Sequence, residues 1–164
     1  MPTFSIIAAA GLNNEIGIHN QLLCHLPADL RRFKELTTGH PVVMGHNTWD
    51  SLPIKPLPHR TNFVLSHNLA LSIPNATVFH SLSELQQLVD DHQETFIIGG
   101  EKVYQLFMDI ADNIYLTRIL GNFNADAFFP TINEKKWHLA EETFRPLDEK
   151  NPYDLKFKKW VRME

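Results

Sequence analysis

The chain has 164 residues, of which 43% are hydrophobic and 21% charged, ordinary proportions for a globular protein with a buried core. Its formal net charge is −4 and no basic run exceeds Lys158-Lys159, which argues against nucleic acid as a partner. The single cysteine, Cys24, excludes an internal disulfide, and no apolar run approaches the roughly 18 residues that span a membrane, so one cytoplasmic domain over residues 1–164 is expected.

The predicted elements alternate between apolar strands and helices until the last third of the chain. In chain order they are a strand at residues 4–10, a turn-rich stretch at 11–20, a helix at 28–38, a strand at 41–44, a helix at 47–52, strands at 61–66 and 77–79, a helix at 82–91, a strand at 95–98, a helix at 102–109 and strands at 113–119, 136–142 and 153–163. Continuous apolar strands joined by helices predict an α/β fold with a mostly parallel central sheet covered on both faces. The helix-free end predicts an antiparallel hairpin at the sheet edge. A shift in alternation at Lys158-Lys159 leaves open whether the last strand carries a bulge.

Asp29 lies in the first turn of the predicted helix at 28–38, which Pro27 is suited to begin. Leu30 and Phe33, at helical offsets of one and four residues, would share its face. The basic residues nearby would look outward: Arg31, Arg32 and Lys34. A carboxylate on an apolar face is costly without a partner, which makes Asp29 a candidate for gripping a cationic or amidine-like ligand. The alternative is an ordinary acid that favours the helix dipole.

Glycines stand at two junctions between a buried strand and a helix, at Gly45 and at Gly99-Gly100. A glycine there lets a phosphate approach the backbone amides at a helix N-terminus, where the dipole favours anions. Two such junctions in a small protein predict a ligand with more than one phosphate, such as a dinucleotide. Each junction alone is also compatible with a plain turn.

The other chemically distinctive residues predict no second site. The nine histidines are scattered without metal-ligand spacing, so no metal site is expected. Cys24 and His25 are adjacent, but neighbours on an extended segment point to opposite faces, which disfavours a thiol–imidazole pair. The tryptophans are predicted to pack in the core or at its edges: Trp49, Trp137 and Trp160.

Taken in order, these pieces resemble the dihydrofolate reductase family of the bacterial chromosomal type. The matching residues are Ile6-Ile7-Ala8-Ala9, Ile16-Gly17, Asn20, Leu26-Pro27-Ala28-Asp29-Leu30, Phe33-Lys34, Pro41-Val42-Val43-Met44-Gly45, Thr48-Trp49, Ser51, Pro56-Leu57-Pro58, Arg60, Ile97-Ile98-Gly99-Gly100, Val103-Tyr104, Tyr115-Leu116-Thr117, Asp126 and Phe129-Pro130. They cover essentially the whole chain in the family's order. The resemblance implies a single dihydrofolate reductase-like domain that reduces 7,8-dihydrofolate to tetrahydrofolate with NADPH, binds antifolate inhibitors and serves one-carbon metabolism. No exposed apolar helix argues for more than a monomer.

The resemblance also implies roles for particular residues. Asp29 would hold the pterin's amidine-like edge and favour protonation of the ring nitrogen N5 through water, Thr117 would hydrogen-bond its carboxylate, and Tyr104 would border the nicotinamide. Arg60 would pair with the carboxylate of the glutamate tail. The folate pocket would be lined by Ile7, Ala9, Leu22, Leu30, Phe33, Leu52 and Ile98.

The implied cofactor site spans both glycine junctions and the segment between the first strand and the first helix. Residues 11–25 would form a mobile loop that closes over the nicotinamide, braced by the loop that carries Asp126. The residues that would contact NADPH are Ala9, Ile16, Gly17, Asn20, Gly45, His46, Asn47, Thr48, Ser66, His67, Gly99, Gly100, Glu101, Lys102, Val103, Tyr104 and Asp126.

Three positions depart from the family's pattern. Leu23-Cys24 stands where the family usually has a proline–tryptophan pair, so a roomier pocket is expected there. His46 stands where many relatives have an arginine facing the cofactor's 2′-phosphate, so the preference for NADPH over NADH should be smaller and should grow as pH falls through histidine's titration range. Glu101 replaces a third glycine and places an acid near the pyrophosphate.

Two other functions fit parts of the sequence. A pyrimidine reductase of riboflavin synthesis shares the sheet and the cofactor site, but it should lack Asp29 in this helix and the tail-binding Arg60. A catalytically idle pterin- or nucleotide-binding protein is conceivable because of the substitution at Cys24. Oxidation of NADPH on addition of dihydrofolate separates these readings.

Overall fold

A central sheet and a smaller second sheet organise the computed structural model, which describes residues 2–164. The strands, in chain order, are β1 (Thr3–Ala10), β2 (Glu15–Ile18), β3 (Gln21–Leu22), β4 (Val42–Gly45), β5 (Asn62–Leu65), β6 (Thr77–Phe79), β7 (Glu94–Ile97), β8 (Asn113–Ile119), β9 (Ala127–Phe128), β10 (Trp137–Arg145) and β11 (Leu155–Arg162). The helices are α1 (Pro27–Thr37), α2 (His46–Ser51), α3 (Leu82–Leu88) and α4 (Glu101–Phe107).

The central sheet has eight strands in the order β10-β11-β8-β1-β7-β4-β5-β6. Every pair from β8 to β6 is parallel, whereas β11 runs antiparallel to both β8 and β10. The mostly parallel sheet with an antiparallel hairpin at one edge is therefore confirmed. Because β1 lies between β7 and β8, the chain leaves it towards α1 and β4 on one side and returns to β8 on the other. Such a reversal opens a crevice at the carboxyl ends of the strands.

Side chains of β1 alternate between two apolar layers, as expected of a strand covered on both faces. Phe4 and Ile6 belong to the larger buried cluster, and Ile7 belongs to the cluster on the opposite face. All the tryptophans are buried, which confirms their prediction as core residues: Trp49, Trp137 and Trp160. The core thus holds β1 rigidly in the middle of the sheet.

The helix ends follow local chemistry and differ from the predicted bounds by one to three residues. Pro27 begins α1, and Gly39 follows its end with a φ of +84°. The hydroxyl of Ser81 caps α3 by accepting a hydrogen bond from the amide of Glu84 at 3.1 Å. Because Val89 is already extended, α3 stops at Leu88, three residues before the predicted end at 91.

The small sheet, with the order β3-β2-β9, was not predicted. Of its strands, only β2 lies inside the stretch 11–20 that was predicted to be rich in turns. Strands of two to four residues give too few positions for an alternation to show. Glu15 of β2 is buried, and its carboxylate accepts hydrogen bonds from the amides of Asn13 and Phe123. Arg118 binds the carbonyl of Gly11 at 2.7 Å and so ties the same stretch to β8.

The irregularity near the C-terminus lies on β10 rather than on β11. Leu139 pairs with Trp160, but the next pair joins Glu141 to Lys159, so Ala140 is an extra residue on β10. The shift at Lys158-Lys159 in the sequence therefore reflects a bulge in the partner strand. Beyond the bulge, β10 continues to Arg145, three residues past the predicted end at 142.

Candidate active site

The candidate site is a cleft beside the carboxyl end of β1, with the start of α1 as one wall. Asp29 lies in the first turn of α1, and its Oδ1 accepts a hydrogen bond of 2.6 Å from the hydroxyl of Thr117. Thr117 is buried on β8 and pairs in register with Ala9 of β1. The cleft is lined by Ala9, Ile16, Leu22, Leu23, Cys24, Leu26, Asp29, Leu30 and Ile119. One carboxylic acid, held by a hydroxyl behind it, therefore lines a cleft of mainly apolar side chains.

The charge of Asp29 is governed first by burial. Burial raises the pKa of Asp29, while the hydrogen bond from Thr117 and the positive charge of Arg32 lower it in part. The prediction that Arg32 looks outward is wrong. Its guanidinium carbon lies 4.8 Å from the centre of the Phe157 ring, because β11 offers an aromatic face beside α1. Phe157 pairs in register with Thr117, so Arg32 lies behind the Asp29–Thr117 pair.

Tyr104 lies on α4 with its ring next to Gly99. It is buried, and its hydroxyl donates a hydrogen bond of 2.8 Å to the carbonyl of Ile7. Burial, and then the negative charge of Asp29, raise the pKa of Tyr104 well above its usual value of 10.0. Tyr104 is therefore neutral, and its hydroxyl proton is donated to the backbone carbonyl of Ile7.

Most of the predicted apolar contacts for a folate lie together. Ile7 shares a cluster with Phe33, Leu52 and Ile98, next to Trp49. Leu22 and Leu30 lie at the mouth of the cleft instead and remain 70% and 40% exposed. Arg60 sits at the far end of α1, where its Nη1 donates to the hydroxyl of Thr37 at 3.0 Å.

The two glycine junctions meet at the edge of the sheet. The amide of Gly45 donates a hydrogen bond of 2.8 Å to the carbonyl of Gly99. Gly99 has a φ of +115°, and a Cβ there would lie 3.1 Å from the ring of Tyr104, so only glycine fits. At Gly100 a Cβ would lie 3.6 Å from the hydroxyl of Thr48. Neither α2, which begins after Gly45, nor α4, which begins after Gly100, has a side-chain N-cap, so their first-turn amides suit an anionic group.

Four of the residues predicted to contact NADPH lie on separate segments: His46, Ser66, His67 and Lys102. His46 begins α2, and its Nε2 lies 3.6 Å from Oδ1 of Asp50, both on the surface. Leu65 pairs in register with Gly45, so Ser66 leaves β5 beside His46. His67 follows in the loop, whereas Lys102 is on α4. A second cleft runs past α2 and is lined by His19, Asn20, Gln21, Asn47, Asp50 and Ser51.

Asp126 contacts the segment that carries Ile16, Gly17 and Asn20. Its amide donates to the carbonyl of Gly17 at 3.0 Å, and its Oδ2 accepts from the amide of His19 at 3.0 Å. The structure also shows contacts that the sequence did not predict. Glu101 accepts a hydrogen bond from the amide of Phe128, and Leu26 and Ile119 line the cleft. Hydrophobic periodicity marks the last two as buried but cannot tell a cleft wall from the core.

Two further features bear on ligands. Among residues 2–164, no three histidine, cysteine, aspartate or glutamate side chains converge in a way that could hold a metal ion. No helix in the same range combines the length and the apolar character needed to cross a membrane.

Comparisons with known proteins all point to one family. The family model described as dihydrofolate reductase matches residues 3–162. The chain is 41% identical over 155 residues to a dihydrofolate reductase of Haemophilus influenzae, covering 94% of this chain and 96% of the relative. It is 39% identical over 160 residues to that of Staphylococcus aureus, covering 98% of both. The structure of Enterococcus faecalis dihydrofolate reductase complexed with NADP(H) and RAB-propyl is similar, with a TM-score of 0.93 and 32% identity over 99% of this chain and 97% of that one.

The burial of Asp29 makes a prediction about stability. Since the pKa of Asp29 is raised above 3.8, the folded protein binds its proton more tightly than the unfolded chain, and stability falls as pH rises from 3.8 through the folded-state pKa. Asp29→Asn should therefore raise the melting temperature by a few degrees at neutral pH and by less near pH 3.8. Thermal unfolding at both pH values measures this. Asp109→Asn, at an exposed acid, is the control and should show no such difference. An unchanged or lower melting temperature for Asp29→Asn at neutral pH would contradict the prediction.

Proposed function

The chain belongs to the dihydrofolate reductase family and is an NADPH-dependent oxidoreductase that reduces dihydrofolate, and from this premise we propose that Asp29 promotes protonation of the pteridine. The observation that carries the proposal is the hydrogen bond of 2.6 Å between half-buried Asp29 and buried Thr117. Oδ1 of Asp29 is held by the hydroxyl, which leaves Oδ2 to face the amidine-like edge of a pterin. A carboxylate has two oxygens, so Asp29 can accept hydrogen bonds from Thr117 and from a pterin at the same time.

The proposed role follows from what the reaction needs. Forming tetrahydrofolate requires a proton at the ring nitrogen N5 as well as a hydride, and a positioned acid contributes typically 10²–10⁴-fold to such a step. Asp29 is the only carboxylic acid among the residues that line the cleft. Because burial raises its pKa, more of it stays protonated towards neutral pH than of an exposed aspartate. We infer that the proton reaches N5 through water rather than directly.

The chain's own residues determine where the reacting groups lie. NADPH supplies the hydride when bound, and the protein's task is to orient it and exclude water. The amides at the starts of α2 and α4 would hold its phosphates, and Gly45, Gly99 and Gly100 allow the close approach. Tyr104, fixed by its hydrogen bond to Ile7, would form a neutral wall beside the nicotinamide.

We further assign contacts to the ligands by position. The substrate would be contacted by Ile7, Ala9, Leu22, Asp29, Leu30, Phe33, Leu52, Arg60, Ile98 and Thr117. The cofactor would be contacted by Ala9, Ile16, Gly17, Asn20, Gly45, His46, Asn47, Thr48, Ser66, His67, Gly99, Gly100, Glu101, Lys102, Val103, Tyr104 and Asp126. What supports the assignment is that Asp29 lines the cleft, that four of the apolar residues share one cluster, and that Gly99 lies next to the ring of Tyr104.

We also propose that residues 1–164 act as one monomeric domain in the cytoplasm and supply tetrahydrofolate to one-carbon metabolism. The acidic net charge of −4 disfavours nucleic acid and anionic membrane surfaces as partners. The exposed large apolar side chains stand on separate segments, for example Leu12, Ile54, Leu69 and Phe144. Such scattered residues are normal on the surface of a monomer.

Asp29→Asn tests the mechanism directly. The variant keeps the shape of the side chain but cannot supply a proton, so kcat at neutral pH should fall by roughly 10² or more. NADPH affinity should not change, because Asp29 lies in the cleft of α1 and not at the glycine junctions. Steady-state loss of NADPH absorbance on adding dihydrofolate measures kcat, and quenching of tryptophan fluorescence measures NADPH binding.

The outcomes separate the alternatives. Full activity in Asp29→Asn would contradict the proposed role, and loss of NADPH affinity would show that the residue is misplaced. If the unaltered protein bound folate but did not oxidise NADPH, it would be an idle binder. Turnover of a pyrimidine substrate instead of dihydrofolate would indicate the pyrimidine reductase.

Cys24→Trp tests the prediction that the folate pocket has more room beside Cys24 than in relatives with a tryptophan there. Cys24 is partly buried in the cleft wall and leaves space that an indole would fill. The added apolar contact should tighten binding of folate-site ligands by roughly threefold to tenfold. Dissociation constants for dihydrofolate or an antifolate measure the effect, and Cys24→Ser, of the same size, is the control that should leave affinity unchanged. Equal affinity in Cys24→Trp and the unaltered protein would contradict the prediction.

His46→Arg tests recognition of the 2′-phosphate. Histidine makes no bidentate pair with a phosphate, and here it already lies 3.6 Å from the carboxylate of Asp50. The substitution should raise the ratio of kcat/KM for NADPH over NADH about tenfold, mainly through NADPH. His46→Gln, which removes the charge, should lower the ratio. A ratio that stays constant across these variants would show that the 2′-phosphate lies elsewhere.

A further inference from the structure

We propose that Glu101 is a positioning residue that holds β9 against the start of α4 and thereby fixes the segment 11–25 along the cleft. Glu101 is the first residue of α4, directly after Gly100. Its Oε1 accepts a hydrogen bond of 2.5 Å from the backbone amide of Phe128, which lies in β9. The contact joins two parts of the chain that are 27 residues apart.

The strand that Glu101 holds is otherwise attached on one side only. β9 is the edge strand of the small sheet and contains two residues. The amide of Phe129 donates to the carbonyl of Asn14 at 2.7 Å, and Asp126 contacts Gly17 and His19. The amide of Phe128 instead points towards α4. Glu101 therefore supplies the acceptor for an amide at the exposed edge of the small sheet.

The segment 11–25, which β9 supports, forms a wall of the cleft. Ile16, Leu22, Leu23 and Cys24 all belong to this segment and all line the cleft around Asp29. β2 of the segment pairs with β9 through Glu15 and Phe128, the same residue that Glu101 holds. A chain of hydrogen bonds therefore runs from the first turn of α4, through β9, to the wall that faces Asp29.

The inference rests on the proposed function in one respect, since the start of α4 is where the cofactor's phosphates would lie. There the carboxylate has two opposite effects. As an acceptor it positions β9, and as a negative charge it repels the phosphates and weakens NADPH binding. Glutamine keeps the acceptor oxygen and loses the charge, whereas alanine loses both. The pair Glu101→Gln and Glu101→Ala therefore separates the two effects.

A plain structural explanation is that Glu101 only favours the dipole of α4 as a first-turn acid. Glu84 provides the matched control. It also lies in the first turn of a helix, α3, and accepts a hydrogen bond of 3.0 Å from the backbone amide of His80. It is not among the residues lining the cleft. Glu84→Ala should lower stability without changing kcat, KM or the exchange of amides in β9.

The first measurement is amide hydrogen exchange in the protein without ligands, which tests the contact whether or not the enzyme turns over. In Glu101→Ala, the amides of Phe128 and Phe129 and those of residues 14–19 should exchange faster, while α3 is unaffected. Glu101→Gln should exchange like the unaltered protein. Acceleration confined to Phe128, or equal acceleration in both variants, would overturn the proposal. So would unchanged exchange in Glu101→Ala.

The second measurement is the split between kcat and cofactor affinity. Glu101→Ala should lower kcat about threefold to tenfold without weakening NADPH, because the cleft wall is no longer held. Glu101→Gln should have a higher kcat than Glu101→Ala, because the acceptor oxygen is kept. It should also bind NADPH about twofold to fivefold more tightly than the unaltered protein, because the repulsion is gone. A kcat equally low in both variants would overturn the positioning role. If the unaltered protein did not reduce dihydrofolate at all, the proposed function would fail, while the exchange result would still decide the role of Glu101.

Discussion

The hydrogen bond from Thr117 to Asp29 is the interaction around which the cleft is arranged, because it joins the start of α1 to the strand beside β1. β8 is buried and paired on both sides, so Thr117 has a fixed position. Pro27 sets where α1 begins, and the amide of Ala28 donates to Asn151 at 2.9 Å, which ties the helix start to the C-terminal hairpin. The carboxylate of Asp29 is therefore held by a buried strand, on a helix start that is itself anchored.

The positive charge of Arg32 partly offsets the desolvation of the Asp29 carboxylate. Burial raises the pKa of Asp29, and the cation of Arg32 acts in the opposite direction. Its guanidinium is held over Phe157, where an aromatic face replaces some of the water it has lost. Asp29 in turn favours the charged form of Arg32 against the desolvation that lowers the pKa of that guanidinium. Burial alone would keep Asp29 protonated, whereas a direct ion pair would keep it charged. An acid that must both bind and release a proton needs a pKa between these limits, and the opposing effects of burial and Arg32 act in that direction.

Much of this could be predicted from the sequence, for reasons that particular residues make clear. The parallel sheet followed from apolar strands such as residues 4–10, and the meeting of two strand–helix junctions followed from the glycines at 45 and 99, of which Gly99 has a φ of +115° that favours glycine. The small sheet could not be predicted, because β3 and β9 contain two residues each and β9 pairs with β2, which is far away in the sequence. Arg32 was misplaced for a related reason: its aromatic partner is on β11, far away in the sequence.

The departures from the family's pattern at Cys24, His46 and Glu101 differ in the contacts that they remove or add. At Cys24 and His46 a large or bidentate side chain is replaced by a smaller or weaker one, so each should reduce a contact with a ligand. Glu101 is the opposite case. A glycine could offer β9 no side-chain acceptor, whereas Glu101 binds the amide of Phe128 directly. Glu101 thus has a structural contact of its own at the start of α4. Its negative charge would oppose a phosphate bound there, so the same side chain would act in opposite directions on the protein and on an anionic ligand.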